Sequence, residues 1–162
     1  MSLYQEVIEE WGATTTNDSN GLSWAETLEA CGLTVLDSEI PGTAPSALTA
    51  IQAVTGVNVE PTVSVQESLA DAMGELDRQW HTRISRSPQT SDDDEFFILP
   101  PVKGGSKIGW VRVKDSGGSN LPSRIAAATG SPEFLTLSTD GHHLFAVTVE
   151  DDEYWIVVHK FT

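Results

Sequence analysis

The sequence predicts an α+β fold in which helices come first and an antiparallel sheet follows. Three patterns support this prediction. Apolar residues in the first half recur at helical spacings, the spacing changes to alternation after residue 95, and an Asp-Gly pair joins two alternating runs near the end. The expected architecture is an N-terminal region of about four helices, then a mostly antiparallel sheet of five strands with one helix, ordered strand, strand, helix, strand, strand, strand.

The predicted helices lie in residues 1–84. Capping boxes, in which a Ser is followed three residues later by Gln or Glu, indicate starts at Ser2, Ser23 and Ser64. Glycines at the far ends predict that the first helix stops at Gly12 and the second at Gly32, and a third runs from near Pro45 to Gly56. The fourth is predicted from Ser64 to Ile84 because apolar residues form one helical stripe: Val65, Leu69, Met73, Leu76, Trp80 and Ile84.

The second half of the sequence is predicted to form mainly strands. Residues 85–95 contain no apolar side chain, which predicts a polar linker or loop between an acidic helical region, 1–84, and a β-rich region, 96–162, packed against it. Strands are expected at 96–99, 108–114, 134–138, 143–149 and 154–161, with a short helix at 122–129.

Two tight turns set the register of the last three strands. Two-residue turns at Asp140-Gly141 and Asp151-Asp152 would place Leu137 opposite Leu144 and Val147 opposite Ile156. Both faces of this meander are then apolar. We therefore expect the short helix to cover one face and the N-terminal helices, or a partner subunit, to cover the other.

The charge is strongly negative and unevenly distributed. The chain of 162 residues has 24 Asp and Glu against 9 Lys and Arg, a net charge of −15. Residues 1–80 hold 13 acidic residues and one basic residue, Arg78, whereas residues 97–124 hold five basic residues and one acid, a local net charge of +4. The overall charge makes coating of nucleic acid or anionic membrane unfavourable, because phosphates would be repelled.

The sequence predicts a cytoplasmic protein with no bound cofactor. Cys31 is the one cysteine and cannot form an internal disulfide, and at a helix C-terminus it is expected to be a buried structural residue. Glu6, Glu9 and Glu10 stand where a signal peptide needs positive charge. No apolar run approaches the length of a membrane span.

One strand face combines aromatic and basic residues. Trp110, Arg112 and Lys114 alternate along the predicted strand, with Lys103 and Lys107 before it. Such a surface can hold an acidic partner or neutralise the acidic half of the same chain, and in other proteins it stacks bases of single-stranded nucleic acid. We take these five residues as the candidate binding residues.

Two further sets of residues are candidate metal ligands. Asp140, His142 and His159 are geometrically compatible with a two-His, one-carboxylate site, although their spacing matches no specific motif. The run Glu150-Asp151-Asp152-Glu153 lacks the spaced ligands and central glycine of a calcium loop, and is interpreted as a solvated turn.

The sequence leaves three functions open. The leading hypothesis is a small acidic protein that binds another protein through its helical half or an exposed sheet surface, for example as an immunity or antitoxin-like partner that neutralises a basic protein. The alternatives are a metal-dependent or carboxylate-based hydrolase near His142 and His159, and a weak single-stranded nucleic-acid binder through Trp110, Arg112 and Lys114. A homo-oligomer is compatible with each of them.

Overall fold

Strands from both halves of the chain form one antiparallel sheet in the computed structural model, which describes residues 23–36, 40–55, 59–85, 95–101, 105–115 and 120–161. The strands are β1 Leu33–Val35, β2 Val63–Gln66, β3 Glu95–Leu99, β4 Val111–Asp115, β5 Phe134–Leu137, β6 His143–Val149 and β7 Glu153–Lys160. The helices of this part of the chain are α1 Ser23–Ala30, α2 Ala47–Thr55, α3 Ala72–Ser85, the single turn α4 Gly105–Ile108, and α5 Leu121–Thr129.

The sheet overturns the predicted separation of helices and strands. It has seven strands in the order β1-β4-β3-β5-β6-β7-β2, not five, and the helices are interspersed among the strands. Both additional strands come from the first half of the chain and occupy opposite edges. β1 begins directly after Gly32, whose φ is +82°. Because β1 has only three residues, its sequence is too short to show a periodicity. Its formation depends on pairing with the distant β4.

The second edge strand replaces the start of the predicted fourth helix. Val63–Gln66 pairs with β7 and buries Val65, whereas Leu69, expected on the buried stripe, is 50% exposed. The helix begins at Ala72 instead, where the Asp71 carboxylate accepts a hydrogen bond of 3.2 Å from the backbone N–H of Gly74. Asp71 thus acts as the N-cap, and the β-branched Val63 and Val65 alternate as a strand requires.

Helices cover both faces of the sheet, but not as expected. One face packs against α1, α3 and α5 through a cluster that includes Leu28, Leu76, Trp80, Ile125 and Phe134. The opposite face packs against α2, whose buried residues are Ala47, Ala50, Ile51 and Val54. The short helix α5 therefore shares its face with two helices from the first half, and the expectation that it covers a face by itself is wrong.

The predicted hairpin registers are confirmed, but the first turn is longer than the two residues predicted at Asp140-Gly141. The backbone N–H of Ser138 donates to the carbonyl of His143, and the N–H of Gly141 donates to the carbonyl of Ser138, so residues 139–142 form the connection. Leu137 lies opposite Leu144, and Val147 lies opposite Ile156. The backbone N–H of Glu150 donates to the carbonyl of Glu153 at 2.8 Å, which closes the second turn over two residues. Local turn chemistry and alternation were sufficient for this part of the fold because its strands are neighbours in sequence.

The C-terminal ends of α1 and α5 agree with the sequence prediction. α5 ends at Gly130, whose φ is +91°, and α1 is followed by the predicted Gly32. The predicted strand 108–114 instead begins at Val111, after the turn α4. The predicted first helix and most of the 85–95 linker lie outside the described residues. No helix in the described segments is long and apolar enough to cross a membrane.

Candidate functional site

The aromatic residue of the predicted basic surface belongs to the core. Trp110 is 7% exposed and packs in the cluster under α2. Its indole N–H donates a hydrogen bond of 2.8 Å to the carbonyl of Pro45, in the segment that leads into α2. The ring therefore anchors α2 to the sheet. Stacking on a base would require the ring to lie at the surface, and it does not.

The arginines of the positive segment form ion pairs within the molecule. Arg112 lies opposite Phe97 in the β3–β4 register, 5.8 Å from the ring centre, and its guanidinium contacts the Glu95 carboxylate at 2.7 Å. Arg124 forms a two-pronged ion pair with Asp115, both contacts at 3.0 Å and both side chains 15% exposed. It also donates to the backbone carbonyl of Cys31. Arg124 thus joins α5, the end of β4 and the end of α1.

The predicted basic surface is therefore not assembled as one patch. Lys114 and Lys107 are exposed, and Lys103 lies outside the described residues. Trp110 is buried and Arg112 is engaged by Glu95, so the local charge of +4 does not appear as a continuous positive surface in the described part of the chain.

Two of the three candidate metal ligands, Asp140 and His142, lie in the β5–β6 turn, whereas His159 lies on β7. The Asp140 carboxylate accepts hydrogen bonds from the Ser138 hydroxyl and from the backbone N–H of His142, the latter at 2.9 Å. The Ser138 hydrogen bond is the main cause that holds the pKa of Asp140 below its ordinary value. His159 instead packs edge-on against Phe161, with ring centres 4.6 Å apart. No group of three or more His, Cys, Asp and Glu side chains in the described ranges is arranged to hold a metal ion.

Cys31 is buried, as the sequence predicted. Its side chain has no exposed surface and packs in the cluster between α1, α3 and α5. Burial raises the pKa of the thiol, and the nearby Arg124 acts in the opposite direction without cancelling the effect. This environment disfavours the thiolate that a nucleophile needs.

The most distinctive surface is an acidic groove at the β7–β2 end of the sheet. It has a volume of about 510 Å³ and is lined by Gln66, Glu150, Asp151, Asp152, Glu153 and Trp155. We use the term acidic groove for these six residues. Asp151 and Asp152 are exposed, and no Lys or Arg among the described residues forms an ion pair with the four carboxylates.

One carboxylate of the acidic groove is held in a defined position. Glu153 accepts a hydrogen bond of 2.7 Å from the side-chain amide of Gln66 and one of 3.1 Å from the indole N–H of Trp155. Gln66 lies on β2 and Trp155 on β7, so pairing of these two strands sets the geometry. The half-buried indole lies beside the carboxylates, an arrangement that suits a cationic side chain.

The negative region continues onto the β2–α3 loop. The backbone N–H of Glu67 donates to the carbonyl of Asp152 at 2.9 Å, which places Glu67 next to the acidic turn. Burial and the Glu67 carboxylate raise the pKa of Tyr154, on the strand beside it. The exposed Leu69 lies two residues further along the same loop.

Sequence reasoning identified the acidic turn and missed the rest of the acidic groove. The predicted helix from Ser64 to Ile84 places Gln66 and Glu67 in its first turn, whereas Gln66 lies on the strand β2 and Glu67 directly after it. The available signal was the alternation of Val63 and Val65 with polar residues directly after Pro61, which is typical of a strand.

Comparisons of this chain with protein-family models, with curated proteins and with solved structures found no match.

Proposed function

We propose that this chain is a small acidic cytoplasmic protein that binds a basic protein through the acidic groove. The observation that carries the proposal is the run of four carboxylates, Glu150–Glu153, beside Gln66 and Trp155, with no described Lys or Arg paired to it. Concentrated negative charge attracts a cationic surface, accelerates association and makes binding sensitive to salt.

The arrangement around Glu153 favours a side-chain ligand over a diffuse charge interaction. Its carboxylate is oriented by Gln66 and by the Trp155 indole, so both oxygens already accept hydrogen bonds. A Lys or Arg side chain of the partner would contact the neighbouring Asp151 and Asp152 while its stem or guanidinium packs on the indole ring. A neutralising protein of the immunity or antitoxin kind, which covers a basic nucleic-acid-binding surface, is the version of this function that we favour.

Calorimetric titration with a synthetic oligolysine peptide tests the proposal. In the variant with both Asp151→Asn and Asp152→Asn, we expect affinity at low salt to fall about tenfold, equivalent to about 1.4 kcal/mol. The matched control carries Glu26→Gln and Glu29→Gln on α1, which packs against β1 and α5 rather than near β2. It removes the same net charge, and we expect affinity to fall less than about threefold.

Two results would contradict this function. One is an equal loss of affinity in both double variants, which would indicate attraction by net charge without a site. The other is binding that does not change between about 50 and 500 mM salt, a range over which screening of exposed charges is large. The free energy of unfolding of both double variants should stay within about 0.5 kcal/mol of the parent, so that folding does not explain the difference.

A further inference from the structure

The strand that contributes Gln66 to the acidic groove is also an edge of the sheet. β2 pairs with β7 on one side, and no other strand of the described chain pairs with it. The backbone N–H of Glu67 donates to the carbonyl of Asp152, so these two residues form a hydrogen-bonded pair. Along an antiparallel ladder, hydrogen-bonded residue pairs alternate with pairs that are not hydrogen-bonded. By this alternation Val63 and Val65 bond to β7, while Ser64 and Gln66 direct their backbone N–H and C=O groups outward.

One common protection of edge strands is present here, since β2 has only four residues. Other protections are inward charges, Lys or Pro within the strand, and cover by a helix or loop. β2 contains neither Lys nor Pro, and both Ser64 and Gln66 are exposed. Its four residues offer a short stretch of unpaired backbone, enough for a segment of similar length.

The charge around the edge selects which segment would pair. Gln66 lines the acidic groove and bonds Glu153, while Glu67 contacts the acidic turn through its backbone. A strand added beside Ser64–Gln66 would therefore lie near Glu67, which directly follows β2, and near the carboxylates of the β6–β7 turn. Acidic segments would be repelled there, and extended segments that carry Lys or Arg would be attracted.

We propose that the outer edge of β2 takes an extended, basic segment of the partner as an eighth strand. This inference rests on the proposed function and adds the mode of recognition. Main-chain hydrogen bonds to Ser64 and Gln66 supply affinity, as in other complexes formed by strand addition, and the acidic groove selects for positive side chains. Neither interaction requires a conformational change in the seven-stranded sheet.

Two peptides of equal charge test the inference on the unaltered protein. The first alternates Lys and Val, and the second has the same sequence with every backbone nitrogen methylated, which prevents strand pairing. We expect the methylated peptide to bind about tenfold or more weakly, since several backbone hydrogen bonds are lost. Hydrogen exchange of the Ser64 and Gln66 amides, followed by NMR, should slow about tenfold with the first peptide and stay unchanged with the second.

Each outcome has a distinct meaning. Equal binding of both peptides without slower exchange at Ser64 and Gln66 would overturn strand addition and leave the acidic groove as an electrostatic site. Absence of binding by either peptide at low salt would overturn the proposed function, and this inference with it. Slower exchange at Leu33 and Val35 of β1 in place of β2 would also overturn it, because β1 is the opposite edge.

Discussion

The two ends of the sheet differ in how their charged side chains are paired. At the β1–β4 end, Arg124 and Arg112 meet Asp115 and Glu95 in partly or largely buried ion pairs. At the β7–β2 end, four consecutive carboxylates surround the acidic groove without a described basic partner. Local net charge in the sequence therefore does not reveal which charges are paired and which reach the surface.

The acidic residues of the helices also differ from those of the acidic groove. On α3, Glu75 accepts hydrogen bonds from Arg78 and Gln79, and the Arg78 hydrogen bond lowers the pKa of Glu75. Asp77 accepts the backbone N–H of Ser123 on α5 at 3.0 Å. Asp77 thus joins α3 to α5, and Glu75 is paired within α3. Although the first half of the chain is the more acidic, the binding surface that we propose lies mainly in the second half.

The largest expected effect on stability comes from removing an ion pair at the β1–β4 end of the sheet. Replacement of Arg124 by Met removes both contacts to the Asp115 carboxylate, 15% exposed, and the hydrogen bond to the Cys31 carbonyl, and should lower the free energy of unfolding by about 3–5 kcal/mol. The matched control is Arg78→Met, since Arg78 pairs with Asp71 and Glu75 at the surface and its side chain is 62% exposed. The loss of unfolding free energy in urea denaturation should be much smaller than for Arg124→Met, because solvent screens exposed ion pairs. Similar losses in the two variants would refute the distinction between internal and surface pairs.

An intermediate effect distinguishes the two parts of the predicted fourth helix. Leu76 on α3 is fully buried, and Leu76→Ala should cost about 2–5 kcal/mol of unfolding free energy. Leu69 lies in the exposed loop near the acidic groove, and Leu69→Ala should change stability by less than about 0.5 kcal/mol. Thermal or urea unfolding measures both. A large loss for Leu69→Ala would support the continuous helix from Ser64 and contradict the strand β2.

The smallest expected effect concerns the pH dependence of the β5–β6 turn. The folded-state pKa of Asp140 lies below its ordinary value of 3.8, so its ionised form stabilises the fold above that value. This contribution is lost as the pH falls through the folded-state pKa. We expect the stability difference between the parent and Asp140→Ala to be largest above pH 4 and to shrink towards pH 2, measured by urea denaturation at several pH values.

A neutral contact at the same turn provides the control. The Thr43 hydroxyl donates to the backbone carbonyl of Asp140 at 2.8 Å, so Thr43→Val removes one hydrogen bond but no ionisable group. Its cost should not depend on pH over the same range. If Asp140→Ala showed the same flat profile, the ionised carboxylate would not contribute to the stability of this turn.

Prediction from sequence succeeded where the relevant contacts are local. The Asp-Gly turn and alternation set the pairing of Leu137 with Leu144, and glycines marked the ends of α1 and α5. It was wrong at β2, where Val65 and Leu69 fitted a helical stripe but pairing with β7 places the first in the core and the second in solvent. It was also incomplete for the site, since it identified the acidic turn without the residues that orient it.

By itself the sequence determined the acidic balance, the class of secondary structure in most segments, and the register of strands joined by tight turns. These properties follow from composition, from 3.6-residue or two-residue periodicity, and from turn chemistry, all of which act over a few residues. Tertiary structure alone decided which strands form the edges, which charges become paired, and what surrounds the acidic turn. Gln66 and Glu153 are 87 residues apart, yet they meet because β2 pairs with β7. That pairing depends on burial across the whole sheet, which no local pattern contains.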